Sequence, residues 1–347
     1  MSFGILAAVL FGISAPLSKI LLDGVDPILL AGLLYLGAGG SLALLILARR
    51  AIGAGEREAR LERQDVPWLA GAVASGGIAG PILLLLGLQR APASTTSLLL
   101  NFEVVATGLV ALVFFRESVS RRAWWAIAAV AVGGILLTLD PAAGWGVSAG
   151  ALLVLGACLA WGIDNNLTGR ISLKDPKRIV AIKGLVAGSF SFALGIALGR
   201  PLPSLSRALL ALALGTVSYG ASIVLFVHSL RQVGAARTGA LFGMAPFVGV
   251  ALSLILFREL PHWTFLAALP LMAVAARLLA GEKHAHTHIH ADLTHTHGHR
   301  HGDLHHAHLH YEGETEQDGH VHEHTHEGMT HTHPHEPDPH HRHGHGK

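Results

Sequence analysis

The sequence predicts an all-α membrane protein: ten transmembrane helices in two inverted five-helix repeats, followed by a disordered, His-rich C-terminal tail. Three observations carry that prediction. Hydrophobic residues make up 51% of the chain and charged residues only 14%, where a soluble domain carries about 25% charged residues. Two apolar runs share one grammar: LLLNFEVVATGLVALVFFRE, from Leu98 to Glu117, and LFGMAPFVGVALSLILFRE, which ends in Phe257-Arg258-Glu259. Finally, 23 of the 25 histidines fall within residues 284–347.

Taken in order, the apolar runs divide into ten spans, near 3–22, 27–48, 67–87, 93–115, 122–139, 147–168, 179–198, 207–229, 236–257 and 263–280. About 20 apolar residues cross ~30 Å of hydrocarbon. The breaks carry turn and charge signals: Asp23-Gly24 with Asp26-Pro27, the charged 49–65 loop, Asp140-Pro141, Lys174-Asp175-Pro176 and Arg200-Pro201. Trp68, Trp124, Trp125, Trp145 and Trp263 fall at or near span starts, where amphipathic rings favour the interface. The first run begins at Phe3 with no basic stretch before it, which reads as a first span rather than a cleaved signal peptide. Cys158, the sole cysteine, excludes an intramolecular disulfide and a multi-cysteine zinc site.

Basic residues orient the spans. With a cytoplasmic N-terminus, 16 Lys and Arg fall on inner loops and only Arg90, Arg200, Arg207 and Arg258 on outer ones. An even number of spans then places the tail in the cytoplasm as well.

The halves repeat. Residues 88–117 map onto 230–259 at a shift of 142, pairing Thr96 with Thr238 and one Phe-Arg-Glu with the other. At a shift of 150, FGISAPLS, starting at Phe11, maps onto WGIDNNLT, starting at Trp161. An odd number of spans per copy requires the second copy to lie inverted. The expected units are 1–140 and 141–283, with the tail at 284–347. Inverted repeats are a common construction of secondary transporters, with the substrate site at mid-depth between the halves.

Together with the first span FGISAPLSKILL and the glutamates that end the fourth and ninth spans, this arrangement resembles the EamA-type family of the drug/metabolite transporter superfamily over residues 3–280. Members typically have a proline thirteen residues before each of those glutamates. Pro246 holds that place before Glu259, but Val104 holds it before Glu117, with Glu103 beside it. The resemblance implies movement of small metabolites or drugs, often in exchange for protons.

Within the spans, Glu103 is the candidate with the most direct chemistry, with Asn101 just before it. An ionisable group at mid-bilayer is costly, and burial favours its neutral form, which suits a carboxylate that takes and releases a proton during a cycle. The structural alternative is a pair with Lys19, and the two are compatible if protonation breaks the pair. Asp164, Asn165 and Asn166 stand where the first copy has Ser14, Ala15 and Pro16. They bind polar substrate groups, or else Asp164 pairs with Lys183. His228 and Arg231 read as interfacial. Pro16, Pro81, Pro246 and Pro270 each free a backbone carbonyl inside a span, tolerable only where a neighbour or cavity satisfies it. The 41 glycines read as close helix packing.

The tail gives no apolar core. His284, His286, His288, His290, His295, His297, His299 and His301 place neutral imidazoles where several can close on Zn, Ni, Co or Cu. With its histidines neutral the tail carries 3 basic and 10 acidic residues, a net charge of −7 that acidification would reverse.

The expected function is therefore secondary active transport of a small metabolite or drug, coupled to protons, by alternating access at the first, fourth, sixth and ninth spans. Its site residues would be Glu103, Asn101, Lys19, Ser14, Asp164, Asn165, Asn166, Lys183 and Pro246. The alternative is a divalent Ni, Co or Zn transporter with a metal-buffering tail. A membrane-anchored sensor without flux would need far fewer spans. Neither enzymatic activity nor a required cofactor is expected, and no P-loop appears. The expected partners are the bilayer of a bacterial-type inner membrane, the small-molecule substrate and protons, with a homodimer left open and no nucleic acid.

Overall fold

The structure is a computed structural model that describes residues 2–52, 59, 61–115, 121–140, 146–171, 174–258, 261–280, 284–289, 293–299, 320–326 and 330–335. The Arg116-Glu117 and Glu259 ends of the repeated motif, and His290 and His301 of the tail, lie outside the described residues.

The chain is mostly helical. Helices α1 (Ser2–Gly12) and α2 (Ser14–Leu21) form the first crossing and α3 (Pro27–Ala51) the second. Asp26 caps α3 by accepting the Ile28 N–H at 2.9 Å, just ahead of Pro27 at the first turn. A third crossing runs through α4 (Val66–Ala72), a π-helical turn (Val73–Ala79) and α5 (Gly80–Arg90). The fourth is α6 (Ala93–Leu99) and α7 (Phe102–Phe115), followed by α8 (Arg121–Thr138), short strands β1 (Leu139–Asp140) and β2 (Gly146–Val147), α9 (Ala149–Gly169) and α10 (Pro176–Ala197). Next come α11 (Leu205–Gly215), a second π-helical turn (Thr216–Ala221), α12 (Ser222–Phe242), α13 (Ala245–Phe257) and α14 (Trp263–Ala280).

Among the described residues, seven helical stretches are long and apolar enough to cross a membrane, and three more, 124–138, 245–257 and 263–278, are apolar but shorter. Helical backbone runs throughout α12, yet Ser229 Oγ and Thr238 Oγ1 lie 2.9 Å apart. Nine residues of straight helix would separate them by about 13.5 Å. The chain therefore turns back between them.

Large apolar side chains cover the outside, including Phe114 at 75% exposed and Leu205 at 75%, as a hydrocarbon surround requires. Inside, α3 and α10 make the most extensive helix pair. A methyl group on Gly184 would stand 2.7 Å from Gly39 Cα, so only glycine allows this approach. α9 packs on α5 and α7, α1 packs on α12 and α13, and α8 packs on α14.

Two local irregularities occur twice. The π-helical turns start at Val73 and Thr216, 143 positions apart. Helix breaks at Leu100-Asn101 and Gly243-Met244 are also 143 positions apart. Pro246 opens α13 after the second break. The first break has no proline, and there Asn101 Nδ2 donates to the Leu98 carbonyl at 2.9 Å.

The described residues of the tail are extended. Four strands, β3 (His284–Ile289), β4 (Leu293–His299), β5 (His320–His326) and β6 (Thr330–His335), form two antiparallel pairs, β3 with β6 and β4 with β5. The physical reason lies in the residues between the histidines: threonine, isoleucine and valine give a period of two and a preference for extended backbone.

Candidate functional site

A polar seam joins α7 to α9 inside the helical body. Glu103 lies in the first turn of α7, half-buried, and accepts a hydrogen bond from Asn165 Nδ2 at 3.0 Å. The same amide donates to Thr107 Oγ1 at 3.1 Å, while Thr107 Oγ1 donates to the Glu103 carbonyl at 2.8 Å. Asn166 Nδ2 donates to the carbonyls of Thr107 at 3.0 Å and Gly162 at 2.8 Å. Both amides thus find partners.

Asp164, which immediately precedes Asn165 on α9, is only 4% exposed. Lys183 of α10 forms an ion pair with its Oδ2, and Thr168 Oγ1 donates to its Oδ1 at 2.9 Å. Asp164 and Lys183 lie close enough to act on Glu103 electrostatically. The Asp164 charge is matched by a cation, whereas among the described residues no cation lies within ion-pair distance of Glu103. The exposed Asn165 leaves the Glu103–Asn165 contact accessible, unlike the sealed Asp164–Lys183 pair.

The π-helical turn at Val73–Ala79 places a backbone carbonyl between these elements. In this turn Gly80 N–H bonds to the Ser75 carbonyl, five residues back. The next donor in that register would be Pro81, which has no N–H. The Gly76 carbonyl therefore accepts from Tyr35 Oη at 2.8 Å and Trp161 Nε1 at 3.0 Å. Gly76 also lets Asp164 approach, because a Cβ there would stand 1.9 Å from Asp164 Oδ2.

Tyr35 leads to an aromatic cluster. Its ring lies 5.8 Å from that of Tyr219 on the second π-helical turn, and Tyr219 lies 5.8 Å from Phe11. Phe11 lies 5.2 Å from Phe242, which lies 5.0 Å from Phe226. Ser14 is buried on α2.

The structure thus gathers Glu103, Asp164, Asn165, Asn166 and Lys183. Lys19 makes other contacts. Its ammonium donates to the carbonyls of Leu88, Gln89 and Ala91, the last at 3.0 Å. Those carbonyls end α5 or follow it, and the end of a helix attracts a cation because its last carbonyls lack intrahelical donors. The Lys19–Glu103 pair is therefore not formed. Asn101 serves the break before α7. Pro246 sits in the segment that closes on α1, where a Cβ on Gly12 would stand 2.4 Å from the Ala245 carbonyl. Tyr35, Gly76, Thr107, Trp161 and Tyr219 were not among the expected residues. Pro81 was the available signal for Gly76, since a proline inside a span leaves a carbonyl seeking a donor. Among the described residues of the helical body, no three His, Cys, Asp or Glu side chains gather as a metal cage.

Comparison with known proteins agrees with this architecture. The sequence profile of the EamA-like transporter family matches residues 1–139 and, a second time, 148–281. An uncharacterized transporter of Methanothermobacter thermautotrophicus is 30% identical over 271 residues, 74% of this chain and 78% of that protein. A 4-amino-4-deoxy-L-arabinose-phosphoundecaprenol flippase subunit ArnE of Yersinia pestis is 36% identical over 81 residues, 23% of this chain and 70% of that protein. A solved crystal structure, 20% identical, shares the fold with a TM-score of 0.58 over 80% of this chain and 95% of its own. The chain belongs to the EamA-like transporter family.

Proposed function

We propose that this member of the EamA-like transporter family is a proton-coupled secondary transporter that exports or exchanges a small polar metabolite or drug, with Glu103 as the group that carries the proton. One observation carries the reading: Glu103 is held by a neutral amide beside an ion pair that is already balanced. An amide donor stabilises a carboxylate without discharging it, so the group remains available to a proton or to a cationic part of the substrate. Ionised Glu103 accepts from Asn165 and holds α7 against α9. Protonated Glu103 is a weaker acceptor, and the seam loosens. Proton binding would then favour one of two arrangements of the fourth and sixth spans, which is what coupling requires.

The ten-span inverted-repeat arrangement belongs to this proposal. Seven long spans and three shorter apolar helices supply the ten. The twice-matching family profile and the paired π-helical turns and helix breaks support duplication. The helix neighbours support inversion: α1 meets α12 and α13 as α9 meets α5 and α7. The basic-residue bias supports an inner-membrane protein with both termini in the cytoplasm. Similarity to a flippase subunit supports movement of polar groups across the bilayer, while leaving the cargo to experiment.

The test uses everted membrane vesicles holding the full chain, with an imposed pH gradient followed by a fluorescent dye. Metabolites and cationic drugs are added one at a time. A substrate that dissipates the gradient only in vesicles containing the protein supports the reading. If radiolabelled solutes cross with no effect on the gradient, proton coupling is refuted.

A further inference from the structure

We propose that the tail is a divalent-metal site built as two cross-strand histidine ladders. The pairing of β3 with β6 sets His284 opposite His335, His286 opposite His333 and His288 opposite His331. The pairing of β4 with β5 sets His295 opposite His324, His297 opposite His322 and His299 opposite His320. Alternate residues of a strand share a face, so each strand pair places three facing histidine pairs on one face. Ala285, Thr287, Thr332 and Pro334 fall between them in one ladder, and Thr296, Gly298, Val321 and Glu323 in the other.

The sequence alone points to the first strand of each ladder; the register supplies the second. Directly opposite positions stand about 5 Å apart at Cβ, and positions two apart along a strand about 7 Å. Two neighbouring histidine pairs therefore bring four ligands to a patch small enough to close around one ion at ~2.0–2.1 Å metal–nitrogen distances. Neutral imidazoles select Zn, Ni, Cu and Co over Mg or Ca. A one-residue slip of either pairing would oppose each histidine to a residue other than histidine, such as Thr332 or Pro334 in one ladder and Val321 or Glu323 in the other, and dismantle the facing pairs. The facing of histidine with histidine thus depends on the parity of the register. This site is independent of Glu103 and of transport.

The experiment titrates Zn(II) into the metal-stripped, detergent-solubilised full chain against a chromophoric chelator. Two tight equivalents per chain are expected. His286→Gln with His333→Gln removes one of them, and His297→Gln with His322→Gln removes the other. His340→Gln with His341→Gln takes the same number of histidines from beyond the ladders and removes neither. Equal losses in all three variants, so that binding follows histidine number alone, would overturn the proposal. So would the lack of any tight equivalent. Spin labels at Thr287→Cys and Thr332→Cys give a second readout. Zinc should hold them at one short distance, and a broad distribution in the loaded protein would refute the register.

Discussion

Asn165 Nδ2 donates to Glu103 Oε1 at 3.0 Å across 62 positions of sequence, joining the fourth span to the sixth through an amide and a carboxylate. Next to this contact lies the buried Asp164–Lys183 ion pair. The two carboxylates, on α7 and α9, differ in kind: one has a cation, the other a neutral donor.

The ion pair is structural in this account, and its two members should fail together. Removing one partner of a buried pair typically costs about 3–5 kcal/mol, because it strands the other charge. Asp164→Asn and Lys183→Met should each lower the thermal unfolding midpoint in detergent. The double variant should recover much of the loss. Two single effects that simply add would contradict a direct pair.

Gly76 should be intolerant of any side chain. A Cβ there would stand 1.9 Å from Asp164 Oδ2, whereas one on Gly40 meets nothing within 4 Å. Overpacking a tight site costs about 1–3 kcal/mol. Gly76→Ala should therefore unfold at lower temperature, while Gly40→Ala should be neutral or gain up to about 1 kcal/mol of helix propensity. Comparable midpoints for the two variants would contradict the packing described at the π-helical turn.

A pH effect follows from the contact between the segments that lead into α4 and α10. Lys174 forms an ion pair and hydrogen bond with Glu62, and its bonding and charge hold the Glu62 carboxyl below the usual range. A depressed folded-state value stabilises the protein above the unfolded-state value of about 4.3, and the contribution is lost as pH falls through the lower, folded-state value. Glu62 is half-exposed, so the effect is small. Melting midpoints measured below about pH 4.3 should fall more steeply for the native chain than for Glu62→Gln. Parallel curves would remove the pair from the account.

Much of the helical plan was legible, because crossing a bilayer demands long apolar runs and leaves charges only where they have partners. Asp164 and Lys183 could be read as a pair or as substrate ligands, since spacing within two spans does not say which faces meet. The carbonyl partners of Lys19 were not legible, because main-chain acceptors leave no mark on composition. Tyr35 and Trp161 stayed hidden for a related reason: their acceptor is the Gly76 carbonyl, freed by a local change of helix register that Pro81 hinted at without locating. In the tail, alternating histidine announced metal chemistry. Every two-residue shift of such a repeat still opposes histidine to histidine, so only the fold could select the partners.

The central claim is that Glu103 couples the proton to the solute. Its direct test is purified protein in proteoliposomes, comparing native chain with Glu103→Gln in two modes once a substrate is in hand. Substrate-for-substrate counterflow needs no net proton movement, whereas accumulation driven by a pH gradient does. The account predicts that Glu103→Gln keeps counterflow and loses accumulation. Accumulation at the native level in the variant would contradict it.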